Sequence, residues 1–433
     1  MNKTITYLLL ALVATSIIFS IYVISTRINS SYNSQILQNE LGTLNKLTQT
    51  PLPQMPNISS KDYIPSDVYY RINSELLNEL NKSLVTHPEI KNNVSEYLKN
   101  ATVNLSSPKG TEYLRKAYSV LYASTMPKDR EGNLSYINDL LDAVYNRLLD
   151  INSKYSQKLS LAPDNYSPQS CMVIATIDST LGYALSLVKT DKNFLSSSPS
   201  NLGNRDQIIH DIYYKDLPEA LTSVKVLNHT ISEIPITLLS CYKTIDKLYN
   251  KLLNFTQGLL QSTKPQSSFA AIHNYNLSIA GLEWAKEYYP YDRISAIENV
   301  LYSLIRLLSL NDLASLTKGS DYIEAINNTN IDSSFLYSSY LNTINYVNIA
   351  LNYVKDSDVF LKYLIVWLIN YDIIGKLTTF RDEIKGLITY GNITSLNDLK
   401  WTLAVSYVMG FGPAEVLSKH LIDLINILKG MSK

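Results

Sequence analysis

LSYINDLLDAVYNRLLDINSKYSQKL, residues 134–159, is the stretch from which the fold can be read. Leu140, Leu141, Val144, Leu148 and Ile151 recur at helical spacing on one side of an α-helix, and no strict alternation marks a half-buried strand. The same reading extends in both directions. Toward the N-terminus it predicts helices over 68–84, 88–105 and 111–124, stopped by Pro88, by Ser106-Ser107-Pro108 and by the polar run 127–133. Toward the C-terminus, 161–170 carries two prolines and reads as a loop, while 171–188 is apolar enough for a buried helix. Helical spacing then returns over 208–214, 218–232, 236–260, 269–288, 293–310, 335–354, 359–374 and 378–390. Ser395 with Asp398 reads as a cap opening a helix through 409, Gly410-Phe411-Gly412-Pro413 as its stop, and 414–428 as the last helix. The fold class predicted is all-α.

Composition narrows the function classes. Lys and Arg number 38 and Asp and Glu 38, so the net charge is zero, which removes the electrostatic case for nucleic acid as partner. Only 18% of the 433 residues are charged, whereas tyrosine alone reaches 33, so the surface must be polar largely without charge. Fourteen glycines are few for a protein built on tight β-turns or phosphate-cradling loops.

Between Lys3 and Arg27 lie 23 uncharged residues. At about 1.5 Å per residue they reach roughly 34 Å, enough to cross a bilayer core of about 30 Å. A cleaved secretory signal has a shorter apolar core ending in small residues, and neither Ala14-Thr15-Ser16 nor Ser25-Thr26-Arg27 supplies a good site. Residues 5–26 are therefore expected to be an uncleaved transmembrane anchor in the lipid bilayer. Lys3 and the amino terminus precede it and only Arg27 follows closely, which leaves 1–4 as a cytoplasmic tail and puts the body outside. Residues 27–66 read as an exposed helical stalk, with Ile36, Leu37, Leu41, Leu44 and Leu47 in helical spacing, ending in a linker broken by Pro51, Pro53, Pro56 and Pro65. Beyond it are expected a first helical region at 67–192, a mobile serine-rich loop at 193–205 and a second helical region at 206–433.

Asn-x-Ser/Thr triplets give a second indication of sidedness. Candidate glycosylation sites are Asn29, Asn57, Asn81, Asn93, Asn100, Asn104, Asn133, Asn228, Asn254, Asn276, Asn327 and Asn392; Asn165 is a poor acceptor because Pro168 follows its triplet. Composition alone would produce about seven such triplets, and the chain carries about twice that. Cys171 and Cys241 are the only cysteines, an even number that suits a disulfide in an oxidising exterior; two buried thiols are the alternative.

Motifs of chemistry are missing. His87, His210, His229, His273 and His420 never fall two to a helical face, and none lies at ligand spacing from a cysteine, so no metal is expected. Asp206, His210 and Asp211 form the one compact polar constellation and read as a solvated helix end. Glu283 and Glu287 flank Lys286 and read as a charged face, and Tyr288-Tyr289-Pro290-Tyr291 as a helix terminus. No phosphate loop, dinucleotide fingerprint or nucleophile elbow occurs, so no cofactor is expected. The stretch 359–374 is interrupted by Lys362 and Asp372 and reads as a central helix instead of a second span.

Scarce charge, abundant Tyr, Asn, Ser and Ile, two cysteines and many acceptors together resemble, by composition, the surface glycoproteins of thermoacidophilic archaea. That resemblance implies a single-pass protein of the cell membrane whose helical body has a structural or binding role at the cell envelope, facing another envelope protein or a glycan. An acidic exterior would also account for few carboxylates, which lose their ion pairs on protonation. Two other expectations stand beside it: a membrane-anchored, hydrolase-like enzyme with a site assembled from scattered residues, and a secreted, membrane-active antagonist.

Overall fold

Side-chain caps set many of the helix starts. Asn133 accepts from the Tyr136 N–H at 3.0 Å, Asp321 from Glu324 at 2.9 Å, Asp332 from Phe335 at 2.7 Å, and Asp358 from both Phe360 and Leu361 at 3.0 Å. Each satisfies N–H groups that the first turn leaves without a partner. Ser395 receives the Asp398 N–H at 3.1 Å, as its triplet predicts.

The structure is a computed structural model and describes residues 31–197, 204–264, 267–391, 393 and 395–431. The expected tail and anchor, residues 27–30 of the stalk, and the acceptors Asn29 and Asn392 lie outside the described residues. Helices in the first half are α1 (Ser31–Gln49), α2 (Ser66–Thr86), α3 (Lys91–Val103), α4 (Pro108–Thr125), α5 (Leu134–Ser160), α6 (Pro168–Ser197), α7 (Arg205–Asp211) and α8 (Leu217–Glu233). The second half holds α9 (Tyr242–Ser262), α10 (Phe269–Tyr288), α11 (Arg293–Leu308), α12 (Leu310–Leu316), α13 (Tyr322–Asn327), α14 (Ser333–Tyr353), α15 (Val359–Leu368), α16 (Gly375–Tyr390), α17 (Leu396–Ser406), α18 (Gly412–Lys419) and α19 (Leu421–Met431). Among the described residues no strand occurs beyond one isolated bridge, Ser268 to Gly319.

The chain forms two compact units. Of the described residues, unit 1 takes those of Ser59–Asp246 and Tyr288–Ser295, and unit 2 those of 31–58, Lys247–Glu287 and Ala296–Lys433. One break therefore falls inside the Pro-rich stretch 50–66, whereas residues 193–197 and 204–205 of the serine-rich stretch lie within unit 1.

In unit 1, α6 is the core helix. It is long and apolar enough to cross a membrane, with mean hydropathy 1.6 in its most apolar window, but 72% of that window is buried. α5 and α8 pack along it, and short helical turns at Ser60–Tyr63 and Ile236–Leu239 cover it further. α5 buries Leu141, Val144, Leu148 and Ile151 of the expected stripe, together with Ile137 before it and Tyr155 and Leu159 after it, while Leu140 is half-buried. The helix α6 does not stop at residue 192. Ser196 and Ser197 donate back to the carbonyls of Lys192 and Asn193, so residues 193–197 of the expected loop are helical.

In unit 2, α1 corrects the expectation of an exposed stalk. Leu44 and Leu47 are fully buried and Leu37 nearly so, and the helix packs on α14 and α16. Glu40 accepts the Ser333 N–H at 2.8 Å and so caps α14 from outside. The apolar spacing that suggested a stalk is the buried stripe of a core helix.

Three stretches of wider, π-helical winding join helices end to end: Ile212–Asp216, Ile369–Ile374 and Tyr407–Phe411. Each coincides with buried residues four apart, as in Leu361, Ile365, Ile369, Ile373 and Leu377, or Leu399, Leu403, Tyr407 and Phe411. On a regular α-helix four residues advance about 400°, so such a run drifts about 40° per step, and the wider turn takes up the drift. Pro413 follows one of these turns, so Gly410-Phe411-Gly412-Pro413 continues the helix instead of ending it. A proline ring collides with the carbonyl four residues back, and the wide turn opens that space.

Candidate binding cleft and buried ionic clusters

Unit 1 carries an open cleft of about 820 Å³. Its walls come from five helices: Tyr69 on α2, Tyr97 on α3, Arg115 and Lys116 on α4, Thr176, Thr180 and Tyr183 on α6, and Glu219 and Thr230 on α8. Arg115 pairs with Glu219 and donates to the Ser223 hydroxyl at 2.9 Å, while Glu112 accepts from Lys116 at 2.8 Å. Those bonds from Lys116 hold the Glu112 carboxyl below its ordinary range. The Tyr69 hydroxyl donates to the Lys61 carbonyl at 2.7 Å, and burial raises its pKa, so it stays a neutral phenol.

The lining offers aromatic rings, hydroxyls and paired charges. Among the described residues no histidine or cysteine lines the cleft, and its glutamates are paired with cations. Aromatic faces, hydroxyls and nearly balanced charge suit a neutral ligand rich in hydroxyl groups. Sequence reasoning missed the site because Arg115 and Glu219 stand 104 residues apart and neither belongs to a motif.

Two buried ionic clusters were also missed. In unit 2 Arg306 is 1% exposed and grips Asp372 with both terminal nitrogens, at 2.5 and 2.6 Å, while its Nη1 also donates to the Tyr302 carbonyl at 2.9 Å. Its guanidinium lies 3.4 Å from the centre of the Tyr302 ring. In unit 1 Asp178, Asp292 and Arg293 are buried together. Gly182 makes the approach of Asp292 feasible, because a Cβ there would collide with the carboxylate. The available signal was an acid standing alone in an apolar run, Asp178 within 171–188 and Asp372 within 363–375.

The residues singled out from sequence fall as follows. Cys171 and Cys241 are fully buried and form a disulfide, their Cα atoms 5.1 Å apart. The acceptors Asn57, Asn81, Asn93, Asn133, Asn228, Asn254, Asn276 and Asn327 are exposed, and Asn100 and Asn104 half-buried. Asp206, His210 and Asp211 do not converge: His210 pairs with Glu131 at 2.7 Å and Asp211 with Lys215 at 2.7 Å. Glu283, Lys286 and Glu287 lie on an exposed face of α10. Tyr288, Tyr289 and Tyr291 are half-buried in the turn before α11. Among the described residues no group of three or more His, Cys, Asp or Glu side chains could hold a metal ion.

Compared with protein-family models, curated proteins and solved structures, the chain matches none.

Proposed function

We propose that this chain is a membrane-anchored, extracytoplasmic, all-helical glycoprotein with a binding role at the cell envelope, and that the unit 1 cleft takes a neutral glycan. The observation that carries the reading is the distribution of acceptors: eight of them are exposed in the folded protein and none lines the cleft. Sugars attached there would coat the body and leave its groove open. The Cys171–Cys241 disulfide supports an oxidising location, and the paired charges of the cleft favour binding over catalysis.

Glycopeptide mass spectrometry of protein taken from its own membranes tests sidedness. Asn81, Asn93, Asn254 and Asn327 are expected to carry glycans in at least part of the population, and protease added to intact cells is expected to reach the body. Bare acceptors together with a protected body would reverse the topology and remove the envelope role. The cleft is tested separately by saturation-transfer NMR with a neutral hexose oligosaccharide. Transfer is expected to fall to a small fraction in the Tyr97→Ala/Tyr183→Ala variant, since Tyr183 is 52% exposed and offers its ring to the groove. Undiminished transfer would take the cleft out of the reading.

A further inference from the structure

The turn Tyr288–Ser295 belongs to unit 1 and brings two buried carboxyls to one helix start. Asp292, just before α11, accepts the Ser295 N–H at 2.9 Å and the Ser295 hydroxyl at 2.7 Å. Asp178, in the middle of α6, accepts the Arg293 N–H at 2.9 Å through Oδ2. Nη1 of Arg293 stands 3.9 Å from that same oxygen, beyond hydrogen-bond reach. The other titratable groups facing this site are phenols. Tyr155 comes from α5, and the rings of Tyr242 and Tyr289 lie 5.0 and 5.9 Å from the guanidinium carbon of Arg293.

The site thus holds two carboxyls against one guanidinium. Among the described residues Nε and Nη1 of Arg293 have no hydrogen-bond partner, and Asp178 Oδ1 and the Tyr155 hydroxyl make no close hydrogen bond, although the phenol stands near enough to Asp178 to favour its ionised form. Ionising both carboxyls would leave an uncompensated negative charge in an apolar interior, which is strongly disfavoured. Asp292 is the better anion, because both its oxygens accept bonds at a helix start, where negative charge is stabilised. Asp178 has the Arg293 N–H on Oδ2 and only the Tyr155 phenol beside it, so its Oδ1 can take a proton.

We propose that Asp178 carries a proton in the folded protein and that its loss unseats the Tyr288–Ser295 turn, which makes this turn an acid-closed latch of unit 1. Burial raises both carboxyls, Asp178 to about 7, with Arg293 opposing the rise there and Asp292 adding to it. A carboxyl that holds its proton more tightly when folded contributes its full stability below the ordinary carboxylate value of about 4 and loses it as pH rises toward the folded value. The latch is therefore closed in acid and opens above neutral pH, and this holds on whichever side of a membrane the body lies.

Hydrogen exchange of the full-length protein, read by mass spectrometry from about pH 4 to about pH 9 and corrected for intrinsic rates, tests it. Between the ordinary carboxylate value of about 4 and the folded value of about 7, protection of residues 288–295 is expected to fall by up to about tenfold per pH unit, and to level off above it. Asp178→Asn, neutral and of the same shape, is expected to keep the turn protected throughout. Equal protection at both ends of the range, or the same fall in the variant, would overturn the proposal. Infrared absorption of the unmodified protein at about pH 6 adds a reading that needs no variant to fold. A protonated-carboxyl band is expected, and its absence would also overturn the proposal.

Discussion

Asp372→Ala is expected to destabilise the protein by about 3–5 kcal/mol, the usual loss when one partner of a buried ion pair is removed. Arg306 has no route to solvent: the guanidinium is 1% exposed, stacked on Tyr302 and held by two bonds to Asp372. Without the carboxylate a buried cation keeps only the Tyr302 carbonyl as acceptor. Burial alone would raise the Asp372 pKa, but Arg306 and Lys376 outweigh it and hold the carboxyl below its ordinary value. The contribution is therefore present at neutral pH and is lost only as acid drives the pH below about 4 and through the depressed folded value. Urea unfolding of Asp372→Ala and of Arg306→Leu/Asp372→Leu distinguishes charge burial from shape, because the double variant removes the buried guanidinium together with its partner, leaves only the partly exposed Lys376 without its acid, and is expected to recover most of the loss. A loss under about 1 kcal/mol in the single variant would show that Arg306 finds another partner.

Removing the disulfide is expected to cost about as much. Cys171 opens α6 and Cys241 precedes α9, 70 residues along the chain. A closed loop of that length restricts the unfolded chain by about 4 kcal/mol in the chain-entropy account. Cys171→Ala/Cys241→Ala should lower the urea midpoint accordingly with the helical signal unchanged at low denaturant. Both sulfurs are fully buried, so a thiol reductant should leave the folded protein oxidised and act once denaturant opens unit 1. Rapid reduction under native conditions would contradict that burial.

Local rules carried the reading of the fold a long way. Residues 134–159 and Ser395 with Asp398 behave as their spacing and capping chemistry require, because a helix is stabilised by neighbours three and four residues away. What could not be read depends on partners far along the chain. Arg306 meets Asp372 across 66 residues and Asp178 meets Arg293 across 115, so each appears in sequence as an isolated charge. The stretch 31–49 failed differently. Its apolar stripe was seen, but a stripe does not say what covers it, and the helix turned out to be packed on α14 and α16. Within the break foreseen at 193–205, residues 193–197 are helical, with Ser196 and Ser197 placing their hydroxyls on the preceding turn.

The three wide turns give these helices a fixed phase. A regular helix would carry Leu361 and Leu377 to different sides, yet both are buried, because the turn at Ile369–Ile374 resets the angle between them. Chain length is consequently not neutral there. Losing one residue from this turn would rotate α16 by about 100° relative to α15 and swing Leu377, Phe380 and Ile384 away from the core together. One residue lost from a surface loop would rotate nothing. Three short windows, each of five or six residues, thus act as the timing marks of otherwise ordinary helices.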